Sequence, residues 1–243
     1  MSALLSVERV FKSHWRGAHE TAVLADVSLE VNAGEFFAIW GQRGAGKTTL
    51  AMVAAGLVAP DRGCVSFDGH VLGGVPRGRE PHLHDGVGWV QRNGPHSEVR
   101  SIVEYVALPL LGKLSPRNAR RRASAILKRF GVADCAYESW EGLTDGERTL
   151  VALARALVRE PKLLIADDPT TNLDVLQREE IMRLLRHAAT EEGLGILVTV
   201  PDMPDMAHAD RMGSLSDGRL IVSGTPQDLR TNVVALRGRQ QSA

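Results

Sequence analysis

Eight residues, Gly41-Gln42-Arg43-Gly44-Ala45-Gly46-Lys47-Thr48, combine three glycines with a lysine and a hydroxyl in the spacing Gly, four residues, Gly-Lys-Thr. Each position has a separate task. Gly41, Gly44 and Gly46 can take backbone angles closed to other residues, so that consecutive N–H groups turn inward around phosphate oxygens. Lys47 adds a mobile point charge for the β- and γ-phosphates, Thr48 offers a hydroxyl to Mg²⁺, and a helix opening there presents its positive dipole end to the anion. Thr49 continues the same turn. The chemistry is the holding of a nucleoside triphosphate.

The flanking elements must place this loop. Phe36-Phe37-Ala38-Ile39-Trp40 reads as a buried strand entering it, and Leu50-Ala51-Met52-Val53-Ala54-Ala55 as an apolar helix leaving it. A second apolar strand, Lys162-Leu163-Leu164-Ile165-Ala166, ends in the carboxylates Asp167 and Asp168 before Pro169-Thr170, where a metal and a water are the natural partners. Around these, 4–10, 23–31 and 65–67 predict short strands. Residues of about 101–130 predict helices interrupted at Pro109, with Ser115-Pro116 as cap and first helical residue. A buried helix is expected over 150–158, a helix from about 176 to 192, and strands at 196–200 and 219–222, an alternating β/α order.

Composition narrows the function classes. Lys plus Arg and Asp plus Glu number 29 each, a formal charge of zero, so there is no bulk basic field for nucleic acid. Cys64 and Cys135 lack a CxxC spacing, suit a reducing cytosol and read as structural filler. No apolar run reaches the ~18–20 residues that span a bilayer, so membrane association is expected through a partner. Two readings stand for Arg120-Arg121-Arg122 beside Lys128-Arg129: a docking patch, or the solvated face of a helix, which is the ordinary outcome for such a run. His82, His84 and Asp85 share a loop but lack a third ligand at metal spacing, and loop histidines are the default.

The ordered set of motifs resembles the nucleotide-binding subunit of ATP-binding cassette (ABC) transporters over nearly the whole chain. It consists of the loop at 41–48, Gln91 after Val87-Gly88-Trp89-Val90, Leu143-Thr144-Asp145-Gly146-Glu147 before a helix, the strand ending in Asp167-Asp168, and Asn172-Leu173-Asp174. The segments 103–111 and 131–134 are similar to the branch serving lipoprotein release, macrolide export and cell division. The resemblance implies an α/β fold: a P-loop NTPase core with a mixed, mainly parallel sheet, an N-terminal antiparallel β subdomain and a helical subdomain. The core would span 1–92 and 159–230, the helical part 93–158, and a loose tail 231–243. It implies ATP and Mg²⁺ as cofactors, Asp167 and Thr48 at the metal, and Gln91 sensing metal, γ-phosphate and membrane subunit. Thr144 and Gly146 would face the ATP of a second monomer in a head-to-tail homodimer or heterodimer. The partners would be that second subunit and an integral-membrane permease, at the cytoplasmic face of the membrane.

Four departures from the family pattern carry expectations of their own. The usual catalytic glutamate is Asp168, one methylene shorter, which predicts slow hydrolysis. The switch histidine is replaced by Val200, which cannot hydrogen-bond a phosphate, and His208 lies too far along to substitute. The signature carries Asp145 and Glu147, expected to bring negative charge towards the other monomer's phosphates, with Arg43 adding a cation that offsets them in a dimer. His14 takes the place of the adenine-stacking tyrosine, leaving Trp15 to stack or to pack. A non-hydrolytic ATP-binding switch is the alternative to a slow motor. A small-molecule kinase has no use for the signature or for Asn172-Leu173-Asp174.

Overall fold

The computed structural model of the protein describes residues 3–16, 19–72, 83–90 and 101–224. Two sheets organise it. The larger has six strands in the order β10-β9-β3-β8-β7-β6: β3 Phe36–Trp40, β6 Val87–Val90, β7 Leu163–Asp167, β8 Gly195–Val200, β9 Arg211–Ser216 and β10 Arg219–Ser223. The strands β9, β3, β8, β7 and β6 run parallel, and β10 pairs antiparallel with β9. The smaller sheet is antiparallel, β2-β1-β4-β5, from β1 Leu5–Arg16, β2 His19–Val31, β4 Arg62–Phe67 and β5 His70–Val71. The fold is therefore the mixed, mainly parallel α/β core with an antiparallel β portion that the motif order implies.

The parallel strands are apolar on both faces because both faces are covered. Phe36, Ala38, Leu164, Ala166, Ile196 and Val198 point into one core, shared with the helices α2 Ile102–Ala107, α3 Pro116–Arg129, α4 Asp145–Leu157 and α5 Val175–Glu192. Their alternates Phe37, Ile39, Leu163, Ile165 and Leu197 point into a second core, closed by the antiparallel sheet and by α1 Lys47–Ala54. Period-two alternation thus decides which core each side chain joins. Burying a phenylalanine such as Phe36 or Phe37, both fully enclosed, contributes roughly 1.5–3 kcal/mol apiece.

Local chemistry sets the helix ends. Asp174 caps α5 in a reciprocal pair with Gln177, and Gly193 ends that helix in the left-handed region, φ 68°. Ser115 caps α3 with Pro116 as its first residue, as the sequence predicts. The helix expected over 150–158 begins earlier, at Asp145, because Thr144 and Glu147 form a capping box. The strands expected at 4–10 and 23–31 extend much further. Their register shifts between Val7 and Val10, Val10 and Lys12, and Lys12 and Ser13, and these irregularities break the alternation by which a long strand is recognised. Pro109 does interrupt the helical run, which continues as one 3₁₀ turn, Leu108–Leu110.

Candidate functional site

The parallel register brings the chemistry to one edge. Trp40 pairs with Val200 and Asp167 with Thr199, so the C-terminal ends of β3, β7 and β8 lie side by side. This is where parallel α/β sheets place ligands. The phosphate loop leaves β3 there, and its glycines are required by shape. Gly46 precedes α1 at φ 100°, and a β-carbon on it would come within 2.8 Å of the Val23 carbonyl oxygen; on Gly41 it would meet the Leu215 carbonyl oxygen at 2.5 Å. Lys47 is buried, 8% exposed, with its ammonium turned back onto the loop. It donates to the carbonyl oxygens of Gly41 at 2.8 Å and Gln42 at 3.4 Å. Arg43 and Thr48 are exposed, and Thr49 is buried. The Thr49 hydroxyl lies 3.2 Å from His14 Nε2, so His14 is tied to the first turn of α1.

At the end of β7 a buried hydroxyl organises the two carboxylates. Thr199 Oγ1 donates to Asp167 Oδ1 at 2.6 Å and accepts from the Asp168 backbone N–H at 3.0 Å. That N–H also reaches the Thr199 carbonyl oxygen at 3.1 Å. Asp168 holds φ 46°, a left-handed conformation costly for a residue other than glycine, and the bonds to Thr199 fix it there. The motif order does not single out Thr199. The available signal is a hydroxyl in the otherwise apolar run Ile196–Val200 of a fully buried strand, since a buried polar group demands a partner. A second such pair is Thr170 Oγ1 donating at 2.7 Å to Oδ2 of the buried Asp205, in the segment that follows β8.

Val200 is fully buried among the side chains of the helix-facing core. Trp40 Nε1 donates to the neighbouring Pro201 carbonyl oxygen at 3.1 Å, pinning the end of β8 to the root of the phosphate loop. His208 bonds Glu179 instead, at 3.0 Å.

A cleft of about 1050 Å³ joins the phosphate side to the signature helix, lined by Thr48, Trp89, Trp140, Arg148, Thr149 and Asp167 among others. The signature differs from expectation in one respect. Glu147 is engaged by its own helix: Glu147 Oε2 accepts from the Thr144 N–H and hydroxyl, both at 2.8 Å, and Oε1 accepts from Cys135 Sγ at 3.4 Å. The bond from the Thr144 backbone, then that from its hydroxyl, hold the Glu147 carboxyl below its ordinary value. Burial, followed by the bond to Glu147, pushes the Cys135 thiol up to about 11, keeping it inert. Asp145 pairs with Arg148 one turn on, at 3.3 Å. Both carboxylates therefore have partners within the chain, and Glu147 is a structural cap. Gly146 is a close approach, since a β-carbon there would meet Gln177 Nε2 of α5 at 3.0 Å.

This assignment predicts that Thr144→Ala lowers stability by about 1 kcal/mol at pH 7, a loss of roughly 2–4 °C in the thermal midpoint. Because the Glu147 carboxyl is held down in the folded state, its contribution is complete above its ordinary 4.5 and is lost as pH falls through its lowered folded-state value. The gap between wild type and variant should narrow in acid without closing, because the Thr144 hydroxyl also accepts from the Glu147 N–H at any pH. The absence of a gap in thermal melts at pH 7 would refute the cap.

Gln91, His82 and the tail at 231–243 lie outside the described residues; of Trp15, only the backbone position in β1 lies within them.

The site geometry agrees with what the chain is related to. The sequence profile of the ABC transporter family matches residues 24–171. The macrolide export ATP-binding/permease protein MacB of Syntrophobacter fumaroxidans is 35% identical over 88% of the chain, which spans only 31% of that protein's length. The lipoprotein-releasing system ATP-binding protein LolD of Shewanella denitrificans is 35% identical over 91% of the chain and 96% of its own. A bacterial ABC transporter cassette solved as a dimer with ADP and phosphate superposes with a TM-score of 0.81 at 28% identity, covering 90% of this chain and 98% of that one. A phosphate loop and an Asp-ended strand brought together by register, in a chain so related, place it in the ATP-binding family of ABC transporters.

Proposed function

We propose that the chain binds Mg-ATP between two ATP-binding subunits, hydrolyses it slowly, and so drives or gates a separate membrane subunit. The observation that carries this reading is the convergence of the Lys47 ammonium, Thr48, Asp167 and Asp168 at one sheet edge, organised by Thr199. The donor set suits Mg²⁺: Thr48 and Asp167 line one cleft and are hard oxygen donors, and among the described residues no three carboxylate, imidazole or thiolate groups gather into a cage. Mg²⁺ is commonly held by one or two protein oxygens with substrate phosphates and water supplying the rest. Thr48 and Asp167 would hold it, and when bound it would draw charge from the β- and γ-phosphates.

The chain's own groups supply the remaining steps. Loop amides and Lys47 hold the phosphates; Arg43 adds a cation at the loop tip; Thr199 orients Asp167; Asp168 receives a proton from the attacking water and positions it. Gln91 relays the nucleotide state to the membrane subunit, and Trp15 stacks on the base. Thr144 and Gly146 face the nucleotide of the opposing subunit. The relatives support the partners: one joins an ATP-binding part to a permease by name, and a structural neighbour is a dimer. Val175 and Leu176, 80% and 82% exposed directly after Asn172-Leu173-Asp174, are apolar surface suited to that second subunit. Among the described residues no helix is long and apolar enough to cross a membrane. In this reading the chain sits at the cytoplasmic side of the membrane subunit it serves. Within the chain, 1–92 with 159–230 forms the nucleotide core and 93–158 the helical part.

The full burial of Val200 favours a second reading, an ATP-binding switch that does not turn over. Equilibrium Mg-ATP binding and steady-state phosphate release by the purified protein separate the two. Slow release with binding is expected; tight binding with no release, alone or with membrane partner, selects the switch.

A further inference from the structure

Helix α3 carries Arg117, Arg120, Arg121, Arg122, Lys128 and Arg129 and not one carboxylate, in a chain whose formal charge is zero. Three of the six are neutralised within the fold. Arg120 pairs with Glu104 at 2.7 Å, Arg122 with Glu160 at 2.6 Å, and Arg129 with Glu192. Arg117, Arg121 and Lys128 are exposed and, among the described residues, have no carboxylate partner.

Helical geometry turns these three into a stripe. At about 100° per residue, positions 117, 121 and 128 fall within roughly 40° of one another and extend over roughly 16 Å of helix. Ser124 fills the gap between them. The buried residues Ala119, Ala123 and Leu127 lie on the opposite side, so the stripe points away from the core. The turn leading into the helix adds apolar surface: Leu108 is 38% exposed and Leu111 47%, either side of the buried Leu110.

We propose that this face of α3, with Leu108 and Leu111, rests on the phosphate headgroups of an anionic bilayer. Guanidinium groups match phosphate oxygens in bidentate geometry, and a linear row on a convex helix suits a flat lattice of headgroups rather than a single site. Cations in a row beside exposed leucines combine the electrostatic and apolar contributions by which peripheral helices hold a membrane surface. The contact is independent of nucleotide and of the membrane subunit, and gives the subunit a second, direct hold on the surface where its partner resides. Three cations and two leucines make it weak and reversible, as suits an auxiliary contact.

The test uses the purified full chain in co-sedimentation with vesicles of phosphatidylcholine alone or with roughly one third phosphatidylglycerol. Binding to the anionic vesicles only, largely lost in about 0.5 M salt, is expected. The triple variant Arg117→Gln, Arg121→Gln, Lys128→Gln should weaken binding about 100-fold, about fivefold per cation, with Mg-ATP affinity and circular dichroism unchanged. Those two controls separate failure here from failure of the nucleotide-site reading. Equal partition into neutral and anionic vesicles, or salt-insensitive binding by the unmodified protein, overturns the proposal. So does retention on polyglutamate without vesicle binding, which assigns the stripe to an acidic protein.

Discussion

Lys47→Ala weakens nucleotide affinity about 10- to 100-fold and removes about half or more of the thermal stabilisation that Mg-ATP gives the protein. The magnitude follows from the lost interaction: a charge-assisted hydrogen bond to phosphate in a sheltered loop is worth about 1.5–3 kcal/mol. Lys47 is nearly enclosed, and its partners among the described residues are two neutral carbonyl oxygens, of Gly41 and Gln42. An ammonium facing only carbonyl oxygens is held in place and gains most when an anion enters. The variant also removes the donor that braces the Gly41 carbonyl, so a small loss of stability without nucleotide is expected alongside. The two effects separate cleanly in thermal melts. Ligand at about 100 times the wild-type dissociation constant stabilises the native state by about 2.7 kcal/mol, and at the same concentration the variant should keep only about 0.4–1.4 kcal/mol of this increment. A variant that melts lower but keeps the full increment would show that the ammonium does not reach the phosphates.

How much of this site is legible in the sequence depends on how local its chemistry is. The phosphate loop is readable because Gly41, Gly44, Gly46, Lys47 and Thr48 act through the backbone of one turn, so spacing alone specifies geometry. Asp167 is readable because a carboxylate ending an apolar strand has few other uses. Thr199 is different: its role exists only because β7 and β8 pair in the register that sets it opposite Asp167, 32 residues away along the chain. No local pattern encodes sheet register. Glu147 shows a role that the charge reading passes over: Thr144-x-x-Glu147 is a capping-box spacing, and the Thr144 N–H takes the carboxylate, which keeps its charge while capping its own helix. The left-handed backbone of Asp168 has no signature in the sequence at all, since aspartate does not require it.

Asp168→Glu should raise steady-state Mg-ATP hydrolysis by about 10- to 100-fold with little change in nucleotide affinity. The argument begins with the backbone. Asp168 is held at its N–H, which bonds both the carbonyl and the hydroxyl oxygen of Thr199, and its Oδ1 lies 3.5 Å from the same hydroxyl; the two backbone bonds set the Cα position. Lengthening that side chain by one methylene therefore moves the carboxylate outward by about 1 Å from a fixed root, and misplacement on that scale costs a positioned general base about a hundredfold. Aspartate visits the left-handed region more readily than glutamate, so the change should cost the fold up to about 1 kcal/mol, which thermal melts of the variant check. Because Lys47 and the loop hold the phosphates, the gain belongs to kcat and not to KM. Thr199→Val in the Asp168→Glu background provides the crossed test: it removes the hydroxyl that orients Asp167 and the Asp168 N–H, and should cancel most of the gain while ATP binding survives. Unchanged turnover in Asp168→Glu, with normal binding, would mean that the missing histidine at Val200 and not the short carboxylate limits the rate. In that case the nonhydrolytic switch is the better account of this chain.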